Sequence, residues 1–194
     1  MSYNTISRKP TTAAFWVDVI ENIVTEVRND ADKPGVLLIP ADSPYYLHGH
    51  PLDIIKVLNQ KDRSPTNKSK KYPLIALLQD FTETIGTNQK IKSSASLNIL
   101  IAYSTKSEYD SAQRYDNSFR DILYPLYDLL IEKIISSNMF LNASDNLTSH
   151  DKIDRLYWGR GETKGNVSVV FNDLIDAIEI QNLQLDLRLV PKNC

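Results

Sequence analysis

Residues 178–189 read Ile-Glu-Ile-Gln-Asn-Leu-Gln-Leu-Asp-Leu-Arg-Leu. Ile178 and Ile180, then Leu183, Leu185, Leu187 and Leu189, fall on one face, while Glu179, Gln184, Asp186 and Arg188 fall on the other. A period of two is the signature of a half-buried β-strand. The three-residue step from Ile180 to Leu183 breaks the period once, as a β-bulge does when it inserts one extra residue and restores the facing. A strand of this kind needs partners and a cover.

Two continuous apolar runs of strand length, Tyr72–Leu78 and Leu97–Tyr103, supply the partners. Asn98 aside, both runs are apolar throughout, which calls for cover on both faces of a strand, although short apolar runs also suit a buried helix. Between them Thr82–Ser96 is polar and contains Gly86, which reads as a turn or an extended hairpin loop. Val36–Ile39 reads as a short buried strand closed by Pro40, and Tyr45–His48 as a weaker one. Arg155–Trp158 and Val167–Phe171, flanking Gly159, Gly161 and Gly165, suggest a hairpin with a wide turn. Asn172–Ala177 is too short for more than one or two helical turns.

Cover comes from two helical patterns. Over Thr12–Asn29 the residues Phe15, Trp16, Val19, Ile20, Ile23, Val24 and Val27 recur at three- and four-residue spacing, with Thr11 or Thr12 as cap and Pro34-Gly35 beyond the end. From Ser107 to Ser137 a wide apolar face includes Tyr109, Ala112, Tyr115, Phe119, Ile122, Leu126, Leu130 and Ile134. Pro125 lies inside this second pattern, so a kink or a division into Ser107–Leu123 and Tyr124–Ser137 is expected. After Pro51, Leu52, Ile54, Ile55, Val57 and Leu58 make a short helix ending near Gln60. The expected fold is α+β, a mainly antiparallel sheet packed against an N-terminal helix and a long Pro-kinked helix. It forms one domain over 1–194, with a flexible N-terminus (1–11) and long polar loops at 61–71, 82–96 and 138–154.

Composition narrows the function classes. The chain has 194 residues, 24 acidic and 22 basic side chains, a net charge of −2 and 42% hydrophobic content. A protein so balanced is not a general polyanion binder. Its one cysteine is Cys194, which excludes an intramolecular disulfide, a CxxC redox pair and a cysteine zinc cluster. Met1–Pro10 is polar with one Ile, lacks the apolar core of a signal peptide, and no apolar run approaches a membrane span. A cytosolic site of synthesis follows, and the sequons at Asn67, Asn142, Asn146 and Asn166 read as polar loop chemistry.

Few residues offer chemistry. His48-Gly-His50 places two imidazoles on one side of an extended segment, and Asp42 or Asp53 would complete a three-ligand metal site, yet zinc-ligand spacing is not met. Gly159-Arg-Gly161-Glu-Thr-Lys-Gly165 is glycine-rich and basic, but a strand-like Val-Ser-Val-Val-Phe follows where a phosphate loop needs a helix. Asp173, Asp176 and Glu179 could pair for acid/base work, yet Asp173 and Asp176 are expected at an amino-terminal helical turn, where negative charge is favoured anyway. Lys61–Lys71 is the one basic cluster: Lys61, Arg63, Lys68, Lys70 and Lys71 against Asp62. Without an aromatic ring inside the run it has no platform for stacking bases, which leaves contact with DNA phosphates, an acidic partner face, or a solvated loop. The ten tyrosines gather at element ends, suited to core rims and equally to a large protein interface.

Several strings in order carry a resemblance. Phe15-Trp16 on a first helix, Tyr46-Leu-His-Gly49-His-Pro-Leu-Asp, Leu58-Asn-Gln-Lys61, Lys71-Tyr-Pro-Leu-Ile75 with Asp80-Phe81, Arg114-Tyr115, Phe119-Arg-Asp-Ile-Leu-Tyr-Pro-Leu-Tyr127, Tyr157-Trp-Gly159 and Asn172-Asp-Leu-Ile-Asp-Ala-Ile-Glu-Ile180 span Phe15 to Leu189. This word order resembles small neck proteins of tailed bacteriophages, head–tail connector or tail-terminator-like proteins such as those of crAss-like phages. The resemblance implies a structural, non-enzymatic ring subunit, with no cofactor and no membrane contact. It would stand in six or twelve copies between portal or adaptor proteins and tail proteins, around the DNA channel. Synthesis in the host bacterial cytoplasm and residence in the virion neck are implied with it. No catalytic, cofactor or metal residue transfers. Lys61, Arg63, Lys68, Lys70 and Lys71 are the residues expected to touch a partner or DNA. The competing expectations are a small metal- or nucleotide-dependent hydrolase using His48 and His50, and a non-specific DNA-binding module.

Overall fold

The computed structural model describes residues 13–33, 35–37, 39–85, 91–137, 139–141, 148–159 and 171–188. Its centre is a sheet of five strands: β1 (Tyr45–Gly49), β2 (Leu74–Thr84), β3 (Ile91–Ser104), β4 (Asp151–Arg155) and β5 (Ile175–Arg188). They lie in the order β1-β2-β3-β5-β4. β1 runs parallel to β2 and every other pairing is antiparallel, so the mainly antiparallel α+β fold holds.

The alternation in 178–189 does what its period requires. Ile178, Ile180, Leu183, Leu185 and Leu187 are all buried on one face. The expected bulge is present: Ile180 pairs with Ile99 and Leu183 with Leu97, so Gln181 and Asn182 together oppose Asn98. Asn182 takes a φ of 57°, and its N–H is accepted by Asn98 Oδ1 at 3.1 Å. Asparagine is among the few residues that enter the left-handed region readily.

The continuous apolar runs have cover on both sides. Ile75, Leu77, Ile99, Ile101, Ile178 and Ile180 face α1 (Ala13–Ala31) and the long helix. Leu74, Ala76, Leu100, Ala102, Ile175 and Ala177 face α2 (Pro51–Lys61) together with Phe171. Trp16 is fully buried under α1, stacks on Phe140 with ring centroids 6.2 Å apart, and donates Nε1–H to Ser93 Oγ at 3.0 Å.

Pro125 is accommodated by a change of helical register. Helix α4 (Ser111–Arg114) passes into a π-helical segment (Tyr115–Leu123) and then into α5 (Tyr124–Ser136). The Tyr124 N–H bonds to Phe119 O, five residues back. The wider turn relieves the clash between a proline ring and the carbonyl four residues earlier. The helix therefore continues through the proline. It begins at Ser111 rather than Ser107, under a capping box made by Asp110 and Gln113.

Other expectations are corrected. Val36 and Leu37 form no strand, and Tyr45–Gly49 takes the edge beside β2. Thr82–Thr84 and Ile91–Ser96 continue β2 and β3 as a ribbon, so much of the expected 82–96 loop is strand. The loop expected at 138–154 ends in β4, which pairs with β5. Asn172–Ala177 is not helical, since β5 already starts at Ile175. β5 is an interior strand: it lies between β3 and β4, and beyond β4 its Gln184 N–H reaches Ser149 O while Leu187 bridges Phe140. The expected flexible N-terminus and the segment Val167–Val170 lie outside the described residues.

Candidate functional site

The basic segment 61–71 is partly ordered by a short helix, α3 (Pro65–Lys68), and its five cations separate into two groups. Lys71 points inward. Its side chain is 3% exposed and pairs with Asp62 Oδ1 at 3.0 Å and with Asp173. Tyr72 donates its hydroxyl to Asp173 Oδ2 at 2.7 Å, and burial followed by that carboxylate drives the phenol well above its ordinary range. Lys61 donates to Lys70 O at 2.9 Å, with its ammonium 5.5 Å from the centre of the Tyr45 ring. Burial, and then the neighbouring Lys71 charge, lower its pKa. Arg63, Lys68 and Lys70 are exposed. Lys71 therefore holds the loop to the body and is not a contact residue, and the outward cluster consists of Arg63, Lys68 and Lys70 with Lys61 behind them. A shallow cleft of about 470 Å³ beside the loop is lined by Lys56, Asn59, Gln60, Asp62, Arg63 and Asn172.

The histidine pair is spent on local structure. His50 caps α2, its Nδ1 accepting the Leu52 N–H at 3.2 Å, while His48 Nδ1 lies 3.2 Å from Gln79 Oε1. Asp53 pairs with Lys56 one turn on, and Asp42 sits in a turn at φ 62°. Among the described residues no group of three or more His, Cys, Asp and Glu is placed to hold a metal.

The carboxylates Asp173, Asp176 and Glu179 do not converge. On a helix, residues 176 and 179 would share a face, but on β5 an odd separation sends them to opposite faces of the sheet. Asp176 is fully buried against Arg114, with Nη1 2.9 Å from Oδ1. Glu179, on the α2 face, accepts from Arg155 Nε at 3.1 Å, Trp158 Nε1 at 2.8 Å and Gln181 Nε2 at 3.0 Å. Gly159 has the positive φ expected of a turn, 78°, and the rest of the glycine-rich segment lies outside the described residues.

What the fold does assemble is an aromatic surface along the long helix and β4. Tyr115, half exposed, meets Tyr124 edge-on at 6.2 Å. Tyr124 donates to Asp154 Oδ2 at 2.7 Å, and burial with that bond pushes its phenol up to about 12. Lys152 lies 4.4 Å from the Tyr124 ring centre and 5.5 Å from that of Tyr127. Leu156 and Tyr157, exposed at 48% and 40%, continue the surface past the end of β4. Residues 115–127 and 150–157 are distant in sequence, and only the pairing of β4 with β5 brings them together. Nothing in the local pattern announces that pairing, because Ile153 is the single apolar residue of β4.

His150 sits at this surface with its Nε2 2.6 Å from Tyr127 Oη, and its buried Nδ1 has no hydrogen-bond partner among the described residues. Burial lowers its pKa below 6.5, against a smaller upward pull from Asp151. A histidine that is harder to protonate when folded contributes stability above pH 6.5, and this is lost as pH falls from there toward the native value. His150→Gln is expected to abolish that limb between pH 7.5 and 5.5 in urea titrations; an unchanged pH slope in the variant would disprove the assignment.

No family model, curated protein or solved structure matches the chain. No helix among the described residues is long and apolar enough to cross a membrane.

Proposed function

We propose that the chain is a structural ring subunit of the neck of a tailed bacteriophage, joining portal or adaptor proteins to tail proteins around the DNA channel, in six or twelve copies. One observation carries this reading: among the described residues the sheet ends on two unlike edges, β1 beside the basic segment and β4 beside the tyrosine-lined helix. A closed ring needs two different, mutually complementary surfaces on each subunit. Tyrosine-rich surfaces suit such contacts, since a ring buries its apolar body while the hydroxyl keeps a partner. The order of sequence strings set out above supports the neck in particular.

Light scattering on the purified protein, with electron microscopy of mixtures with portal rings, tests the proposal. Particles of six or twelve times 22.1 kDa are expected. A strict monomer that also fails to join portal rings would overturn it.

A channel-facing position for Arg63, Lys68 and Lys70 would add weak contact with DNA phosphates. Three contacts at about 0.9 per phosphate give a log–log salt slope of about −3. Anisotropy titrations should show that slope, and show it lost in the triple Glu variant; a slope retained there would place DNA contact elsewhere.

A further inference from the structure

Lys71 lies between two carboxylates and almost out of reach of water. Its side chain is 3% exposed, against 24% for Asp62 and 16% for Asp173. Its Nζ is 3.0 Å from Asp62 Oδ1 and in direct contact with Asp173 Oδ2. The same Asp173 oxygen accepts the Tyr72 hydroxyl at 2.7 Å. Burial, and then the carboxylate beside it, hold that phenol far above its ordinary range, so it stays a donor at neutral pH.

An ion pair needs one carboxylate. Amide formation needs more: an amine against a carboxyl carbon, a second group to carry protons, and a donor on the oxygen where charge develops. Lys71, Asp173, Asp62 and Tyr72 make up that set in one place. Exclusion of water adds to it, since a buried ammonium and carboxylate gain by passing a proton and becoming neutral.

We propose that Lys71 and Asp173 condense to an intramolecular isopeptide bond, with Asp62 relaying the proton and the Tyr72 hydroxyl polarising the attacked carboxyl group. One ammonium proton passes to Asp173, leaving a neutral amine and a carboxylic acid. The Nζ lone pair attacks Cγ of Asp173 while Tyr72 holds the oxygen that gains charge. Asp62 takes a second proton from the nitrogen and hands it to the Asp173 hydroxyl, which departs as water. The Nζ–Cγ bond forms, one C–O bond breaks, nothing is oxidised or reduced, and Asp62 returns to its carboxylate. The cleft lined by Asp62 and Asn172 gives the water its exit. The ion pair is the state from which the bond forms. Once formed, the bond ties the residues before β2 to those before β5 and closes a loop of about 100 residues, which restricts the unfolded chain. This inference does not depend on the ring reading.

Mass decides it, because Lys71→Ala removes ion pair and amide together and denaturation cannot separate them. The full chain, folded at neutral pH and then denatured for intact-mass spectrometry, should be lighter than its sequence by one water. A tryptic digest should contain a branched peptide joining Lys71 to Asp173. Lys71→Arg keeps the cation but cannot condense in this way, and should show the full sequence mass. Tyr72→Phe, lacking one donor, should condense roughly a hundredfold more slowly. Asp62→Asn should remain uncondensed, and condensation at the unaltered rate in that variant would overturn the role given to Asp62. The full sequence mass in the unaltered protein after prolonged incubation would overturn the bond, as would a water loss that persists in Lys71→Arg.

Discussion

Replacing Arg114 with alanine is expected to cost about 3–5 kcal/mol of folding stability, the range for removing one partner of a buried ion pair. Arg114 is 1% exposed and every arm of its guanidinium is occupied. Nη1 donates to Asp176 Oδ1 at 2.9 Å, Nη2 to Lys106 O at 3.0 Å and Nε to Tyr109 O at 3.3 Å, while the group lies 3.8 Å from the centre of the Tyr157 ring. One side chain thus ties the start of the long helix to β5, to the loop before α4 and to the turn after β4. Without it Asp176, fully buried, keeps among the described residues the Tyr157 N–H at 3.4 Å as its remaining donor for Oδ1, and Oδ2 has no partner there. Domains of this kind are stable by about 5–15 kcal/mol, so the variant should unfold at markedly lower urea. Arg114→Met with Asp176→Leu should recover most of the loss, because a well-packed apolar pair carries no desolvation penalty. A loss under about 1 kcal/mol for the single variant would mean that the pair is hydrated and that the helix is held some other way.

Lys71→Ala should be the next most damaging change, about 3 kcal/mol, at the low end of the same range because Asp62 and Asp173 keep some contact with solvent. The ammonium neutralises both carboxylates and lies within 5.8 Å of the Tyr72 ring centre. Its loss would leave Asp173 with the Tyr72 hydroxyl as its remaining described donor and would free the basic segment from the sheet. Lys68→Ala and Lys70→Ala, which are exposed, should change stability by no more than about 0.5 kcal/mol. Thermal or urea denaturation of the three variants side by side measures the contrast. Equal effects at all three positions would show that Lys71 is as solvated as its neighbours.

That contrast also marks a limit of sequence reading. A run of like charges conveys its sum, and the sum here suggested one outward cluster. Which member turns inward depends on Asp173, about a hundred residues away, and no local pattern encodes that distance. Asp176 and Glu179 make the same point. Their spacing converges on a helix and diverges on a strand, so a different local structure removes the chemistry expected of them. β4 was not legible because it is a half-solvated edge strand with one apolar residue.

The sequence by itself determined what depends on near neighbours. The period of two in β5 with its single bulge, the helical stripe of α1, the doubly covered runs in β2 and β3 and the disturbance at Pro125 all follow from backbone geometry over a few residues. The tertiary structure alone decided which strands are interior, which carboxylates meet which cations, and that tyrosines from the long helix and from β4 share one surface. The reason is physical: side-chain period is set by each residue's own φ and ψ, whereas strand order and ion-pair choice are set by the free energy of burying distant segments together.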